Sequence, residues 1–152
     1  MSPSGISGRL REGLLQLCAN AGALTWSPGA AVAADVTPPP GFDTEYPAEP
    51  DVCVALSTYY VGGDSPTLSY SWIQVQVRTR GARDGLSNLA DDLDDAVAQV
   101  WLGNWPMTLP NGVRVNSLLR TSGTPIGRDA AGRFERTTNW QFRIYDPGPH
   151  RL

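Results

Sequence analysis

Four aspartates, Asp91, Asp92, Asp94 and Asp95, form the one dense cluster of side chains in this sequence that could do chemistry. Carboxylate oxygens are the ligands of hard cations, and aspartates three or four residues apart on a helix share a face. The spacing is not that of a calcium-binding loop. A metal centre also draws carboxylates from several elements, whereas these four fall on the polar side of one amphipathic helix. They read as a solvated face, and if they bind anything the expected ligand is arginine from a neighbouring subunit. A metal-dependent enzyme built on residues 91–95 stands as the rival reading of a different class.

Other routes to catalysis are poorly supplied. A serine or cysteine nucleophile needs a nearby base, and His150, the single histidine, lies in a Pro/Gly tail. The sequence lacks GxSxG and HExxH, and the P-loop motif requires a lysine that the chain does not possess. Cys18 and Cys53 are far apart, with no CxxC pattern, and read as two reduced, packed thiols. No catalytic residue, cofactor or metal is expected. Arg78, Arg80 and Arg83 make a small basic cluster with Tyr70 and Trp72 nearby. In a chain of net charge -3 this fits an intersubunit ion-pair surface better than a nucleic-acid reader, which needs a larger basic face. All twelve basic residues are arginine, a bias that codon usage explains as readily as selection for bidentate pairing.

The elements that position these groups follow from periodicity. With 41% hydrophobic and 18% charged residues the chain falls among globular proteins, and 152 residues fit one domain over 1–152. No apolar run approaches the roughly 20 residues that span a bilayer, and the opening residues lack an apolar signal core. Ile6, Leu10, Leu14, Leu17, Cys18 and Ala21 recur at helical intervals, predicting a first helix that stops near Gly22. Residues 35–50, with three consecutive prolines, read as an ordered connector or a stiff surface arm able to reach a neighbour. Residues 51–60 read as a strand.

The clearest amphipathic signal runs from Trp72 to Leu102. Ile73, Val75, Val77 and Thr79 point to one face and Gln74, Gln76, Arg78 and Arg80 to the other, as strand geometry requires. Asp84 is a plausible N-cap for the helix that follows, in which Leu86, Leu89, Ala90, Leu93, Ala96, Val97, Val100 and Trp101 form the apolar stripe. Residues 113–120 and 134–145 read as two further strands, joined by a loop over 121–132 that its glycines and lack of apolar anchors mark as flexible. The expected fold is α+β: a small mixed, mainly antiparallel sheet of four to five strands with two helices packed on it.

The stretch Pro50-Asp51-Val52-Cys53-Val54-Ala55-Leu56-Ser57-Thr58-Tyr59-Tyr60, then Ile73-Gln74-Val75-Gln76-Val77-Arg78-Thr79-Arg80-Gly81, then the helix over 86–102, together resemble the tail terminator or minor capsid proteins of long-tailed bacteriophages. The resemblance implies a subunit that assembles into a ring, usually a hexamer, on the completed tail tube. Such a ring stops tube polymerisation and presents a surface to the neck of the head. The implied partners are other copies of the chain, the tail-tube protein and a head-completion or neck protein. Genome DNA would pass through the lumen without sequence-specific binding, and no membrane is involved. The expected location is the head-proximal end of the tail in the virion, and the host cytoplasm during assembly. A ring needs two different complementary patches on each subunit, and Arg78, Arg80 and Arg83 against Asp91, Asp92, Asp94 and Asp95 are a candidate pair. Gly123, Ile126, Arg128 and Asp129 are candidates for a loop contacting the tube or neck. Other readings stay open: a head-completion or tail-tube subunit, or a small monomeric binding module displaying Gln74, Gln76 and Arg78.

Overall fold

A computed structural model describes residues 5–27, 36–60, 70–103 and 105–146. Helix α1 spans Ile6–Asn20, burying Leu10, Leu14, Leu15 and Cys18 along one stripe. It ends as its sequence predicts: Gly22 takes a left-handed φ of 79°, its N–H donates to the Ala19 carbonyl, and that of Ala23 donates to Cys18. This is the reciprocal C-terminal cap that glycine permits. Helix α2 spans Asn88–Trp101, and its N-cap position is Ser87. The expectation for Asp84 is corrected. Asp84 adopts a φ of 51° in the turn before the helix, and its N–H donates to the Gly132 carbonyl.

Six strands follow in chain order: β1 (Gly41–Asp43), β2 (Cys53–Tyr60), β3 (Tyr70–Arg83), β4 (Met107–Thr108), β5 (Arg114–Arg128) and β6 (Arg133–Tyr145). They form one sheet in the order β1-β2-β3-β6-β5-β4. All neighbours are antiparallel except β1, which runs parallel to β2. The α+β class matches the expectation, while the strand number exceeds it because β1 and β4 are too short to show a period of two. Gly41 allows β1 to sit where it does, since a Cβ there would lie 2.9 Å from Leu15 and 3.1 Å from Leu24.

The larger correction concerns residues 121–132. No loop occupies 121–128: β5 continues through Arg128, paired with β6 across its length, and only a tight turn remains before Arg133. Register shifts between Val115 and Ser117, Arg120 and Ser122, and Pro125 and Gly127 let the strand accommodate Gly123, Pro125 and Gly127. Bulges of this kind are how an outer strand absorbs residues that fit a regular ladder poorly.

Both helices cover one face of the sheet, α1 over β1 and β2, α2 over β3 and β6. The core lies between. Trp101 of α2 meets Trp140 and Phe142 of β6 edge-to-face, with ring centroids 5.3 and 5.4 Å apart. Burying each such side chain stabilises the fold by about 1.5–3 kcal/mol. Cys18 and Cys53 are free thiols, both fully buried. Burial pushes the Cys18 thiol up to about 12 and Cys53 up to about 11. Two inert, packed thiols are what the sequence suggests.

A candidate assembly surface

Among the described residues, the second face of the sheet carries no helix. Alternation along β3 puts Trp72, Gln74, Gln76 and Arg78 there, beside Ser57 and Tyr59 of β2 and Asn139 and Gln141 of β6. In the middle of this face, polar side chains hydrogen-bond laterally across four strands. Gln74 donates to the Tyr59 hydroxyl, which donates to Asn139 Oδ1 at 3.3 Å; Gln76 also donates to that oxygen, at 3.4 Å. Asn139 in turn donates to Ser122 Oγ at 3.0 Å, and Thr121 donates to the Asn139 carbonyl at 3.0 Å. Among the described residues, charge enters at the two ends of this face, with Arg78 and Glu135 on one side and Arg143 on the other.

Arg80, next in the alternation, behaves differently. It is 3% exposed, and its guanidinium donates to the carbonyls of Asp51 (2.8 Å), Pro47 (2.8 Å) and Pro50 (2.7 Å). Tyr46 stacks on it at 4.4 Å and donates its hydroxyl to Glu135. Arg83 pairs with Glu49 at 2.6 Å and Asp51 at 3.1 Å, while Arg133 reaches Asp51 and the Ala48 carbonyl. The segment over residues 44–51 is therefore a strap folded across one end of the sheet, fastened by three arginines. Desolvation, with the hydrogen bond to Glu135, pushes the Tyr46 phenol well above its usual range.

Over residues 36–50 the proline-rich stretch, expected as an ordered connector or a surface arm, bonds to Thr25 before it enters β1; residue 35 lies outside the described residues. Arg80, expected at a subunit interface, is buried and commits its Nε and Nη2 donors to carbonyls of the strap. Arg83 is likewise engaged internally. Arg78 stays half-exposed, 3.4 Å from Glu135.

The aspartates divide in the same way. Asp94 is 2% exposed, bonded by Arg120 of β5 at 2.7 Å and lying 3.4 Å from Arg136 of β6. Asp91 pairs with Arg136 at 3.3 Å. Only Asp92 and Asp95 fit the solvated face expected for all four. Among the described residues, no group of three or more His, Cys, Asp or Glu side chains converges as metal ligands would. The arginine donors the sequence reading missed had a signal. Arg120 and Arg136 fall on the same strand faces as apolar Leu118 and Trp140, and an arginine on a core face calls for a buried carboxylate.

Of the four residues proposed for a contact loop, Gly123 and Ile126 are exposed on β5. Arg128 and Asp129 instead build the turn. Asp129 Oδ1 accepts the N–H groups of Ala131 and Arg133, each at 2.9 Å, and these backbone bonds lead in holding its carboxyl below the usual range. Arg128 donates to the carbonyls of Gly132 (2.7 Å) and Gly85 (3.0 Å) and stacks on Phe134. The hairpin tip is thereby pinned to the turn between β3 and α2.

Among the described residues, one cleft, lined by Thr44, Glu45, Tyr46, Ala55 and Arg78, has a volume of about 140 Å³, and another, beside Pro106, Met107, Thr108 and Arg114, about 280 Å³. Ligand sites begin at roughly 300 Å³. His150 lies outside the described residues.

Residues 18–146 match the family model described as bacteriophage tail terminator protein. Among solved structures, a chain from the virion of a native gene transfer agent particle superposes with a TM-score of 0.60. The match covers 93% of this chain and 98% of that one at 16% identity, so what it establishes is a shared fold. No curated protein matches the sequence.

Proposed function

The chain belongs to the bacteriophage tail terminator protein family, a family of structural tail components and not of enzymes, and from that premise we propose that it caps the tail tube as a ring. In this reading, copies of the chain close into a ring, of six by the family resemblance, at the head-proximal end. The ring ends tube polymerisation and offers the head-completion or neck protein a surface to join. The observation that carries it is the family match, which spans every strand and α2.

The geometry supports the reading in two ways. A closed ring uses heterologous contacts, so the two sides of a subunit must differ. They do: β1 and β4 bound the sheet, one parallel to its neighbour and one antiparallel. Second, the uncharged middle of the open sheet face and the net charge of -3 give DNA little to hold, which suits a channel that genome must traverse. Gly123 and Ile126 on β5 are proposed as the contact with tube or neck. Asp92 and Asp95, exposed on α2, are proposed to meet a neighbour's arginines, with Arg114 as the exposed candidate.

Electron microscopy of tails assembled with and without the protein tests the role. Tubes of uncontrolled length in its absence, and of uniform length on adding it back, are expected. Tubes of uniform length in both cases would overturn the proposal.

A further inference from the structure

The sheet ends in two unfinished edges. On one side β4 covers only Arg114 and Val115 of β5, so among the described residues no strand lies beyond the rest of β5. On the other side β1 covers only Val54, Ala55 and Leu56 of β2, so among the described residues no strand lies beyond residues 57–60. Strand edges present unpaired N–H and C=O groups that bond readily to another strand. The β2 edge can be specified further. The Val54 N–H donates outward to Pro40 and the Leu56 carbonyl accepts outward from Thr44. Alternation then turns the backbone groups of Thr58 outward as well, with nothing described beside them.

The two edges match in three respects. Within β5, the run outside β4 and between the first two register shifts is residues 117–120; the free run of β2 is residues 57–60, of the same length. Their directions are compatible. β2, β3, β6 and β5 are successively antiparallel, so β5 runs opposite to β2, and a rotated copy brings its β2 antiparallel to this β5. Each edge also exposes a large side chain on the helix-free face, Tyr59 at 46% on β2 and Leu119 at 59% on β5. Joined edges set these two opposite or diagonal to one another, as cross-strand pairs that stabilise sheets.

We propose that residues 117–120 of β5 pair as antiparallel strand with residues 57–60 of β2 in a second copy of this chain, so that the ring is one continuous sheet. The bulges and Pro125 beyond residue 120 limit the joint to this window and keep the remaining edge from open-ended pairing. The proposal rests on the ring reading above, and its test separates the two.

The probe is the full chain carrying Tyr59→Cys and Leu119→Cys. Within one subunit these positions lie three strand spacings apart, about 14 Å, too far for a disulfide, which needs Cα atoms within roughly 7 Å. Oxidation should therefore link copies only to one another, in a denaturant-resistant ladder that stops at the ring's copy number. The single variants Leu119→Lys and Tyr59→Lys should each weaken self-association roughly ten-fold or more without changing circular dichroism, because charge on an edge opposes pairing. Leu102→Lys, at 55% exposure on the end of α2, should have no such effect. Rings seen on tails by electron microscopy with no ladder, or with Leu102→Lys as disruptive as Leu119→Lys, would overturn the edge joint and leave the ring standing. Absence of rings on otherwise complete tails would overturn both.

Discussion

The two ends of β3 carry one alternating pattern and meet opposite fates. At the Gln74 and Gln76 end the polar side chains bond sideways to Tyr59 and Asn139 and stay open to water. At the Arg80 end the same face is roofed by residues 44–51, and a guanidinium on the polar register is 3% exposed. The difference teaches that alternation assigns a side chain to a face but not to water. What covers a face comes from a segment some 30 residues away, and an arginine is suited to fasten it, with several donors for backbone carbonyls. The roofed end is internal structure and the open end is surface.

The contrast breaks most readily at Arg80. Arg80→Ala leaves the carbonyls of Pro47, Pro50 and Asp51 without their donor, each buried acceptor costing about 1–3 kcal/mol. A loss of roughly 3 kcal/mol or more is expected, lowering Tm by about 10 °C in calorimetry. An unchanged Tm would mean that the strap is held elsewhere and that the two ends are alike. Asp94→Ala comes next. It removes the partner of Arg120 and of Arg136, whose side chains are 34% and 28% exposed and can turn to solvent, so about 2 kcal/mol is expected in denaturant unfolding. Asp92→Ala, on the exposed side of the same helix, should stay within about 0.5 kcal/mol. Equal losses for the two would erase the division of the aspartates into internal and external pairs. The smallest effect belongs to the open end. Gln74→Ala should leave the unfolding free energy in denaturant within about 0.5 kcal/mol, because water replaces an exposed hydrogen bond. A loss comparable to that of Arg80→Ala would show that the amide row is internal structure after all.

The long periodic elements were legible. α1, α2, β3 and β6 each bury a stripe at their own period, and the resemblance to tail terminators carried the family. What escaped was set by contacts remote in sequence. β1 has three residues and exists because β2 offers an edge and Gly41 clears Leu15 and Leu24. Gly123, Pro125 and Gly127 look like a loop locally, yet β6 pairs with that stretch from Glu135 to Asn139 and makes it a strand. Asp94 differs from Asp92 only in which side of α2 it occupies relative to Arg120 and Arg136. The i, i+3, i+4 stripe brackets that side through Ala90, Leu93 and Val97, so the buried aspartate was within reach of a stricter helical count.

The sheet's strand order has a consequence for synthesis. β6 lies between β3 and β5 although it follows both in the chain. Until residues 133–145 leave the ribosome, β1 to β3 and β4 to β5 are two separate fragments with no ladder joining them, and the arginine that anchors Asp94 from β6 does not exist. Long-range pairing of this kind is the slow part of folding. A nascent chain thus cannot hold the sheet's two outer edges in one sheet until β6 has joined the two fragments.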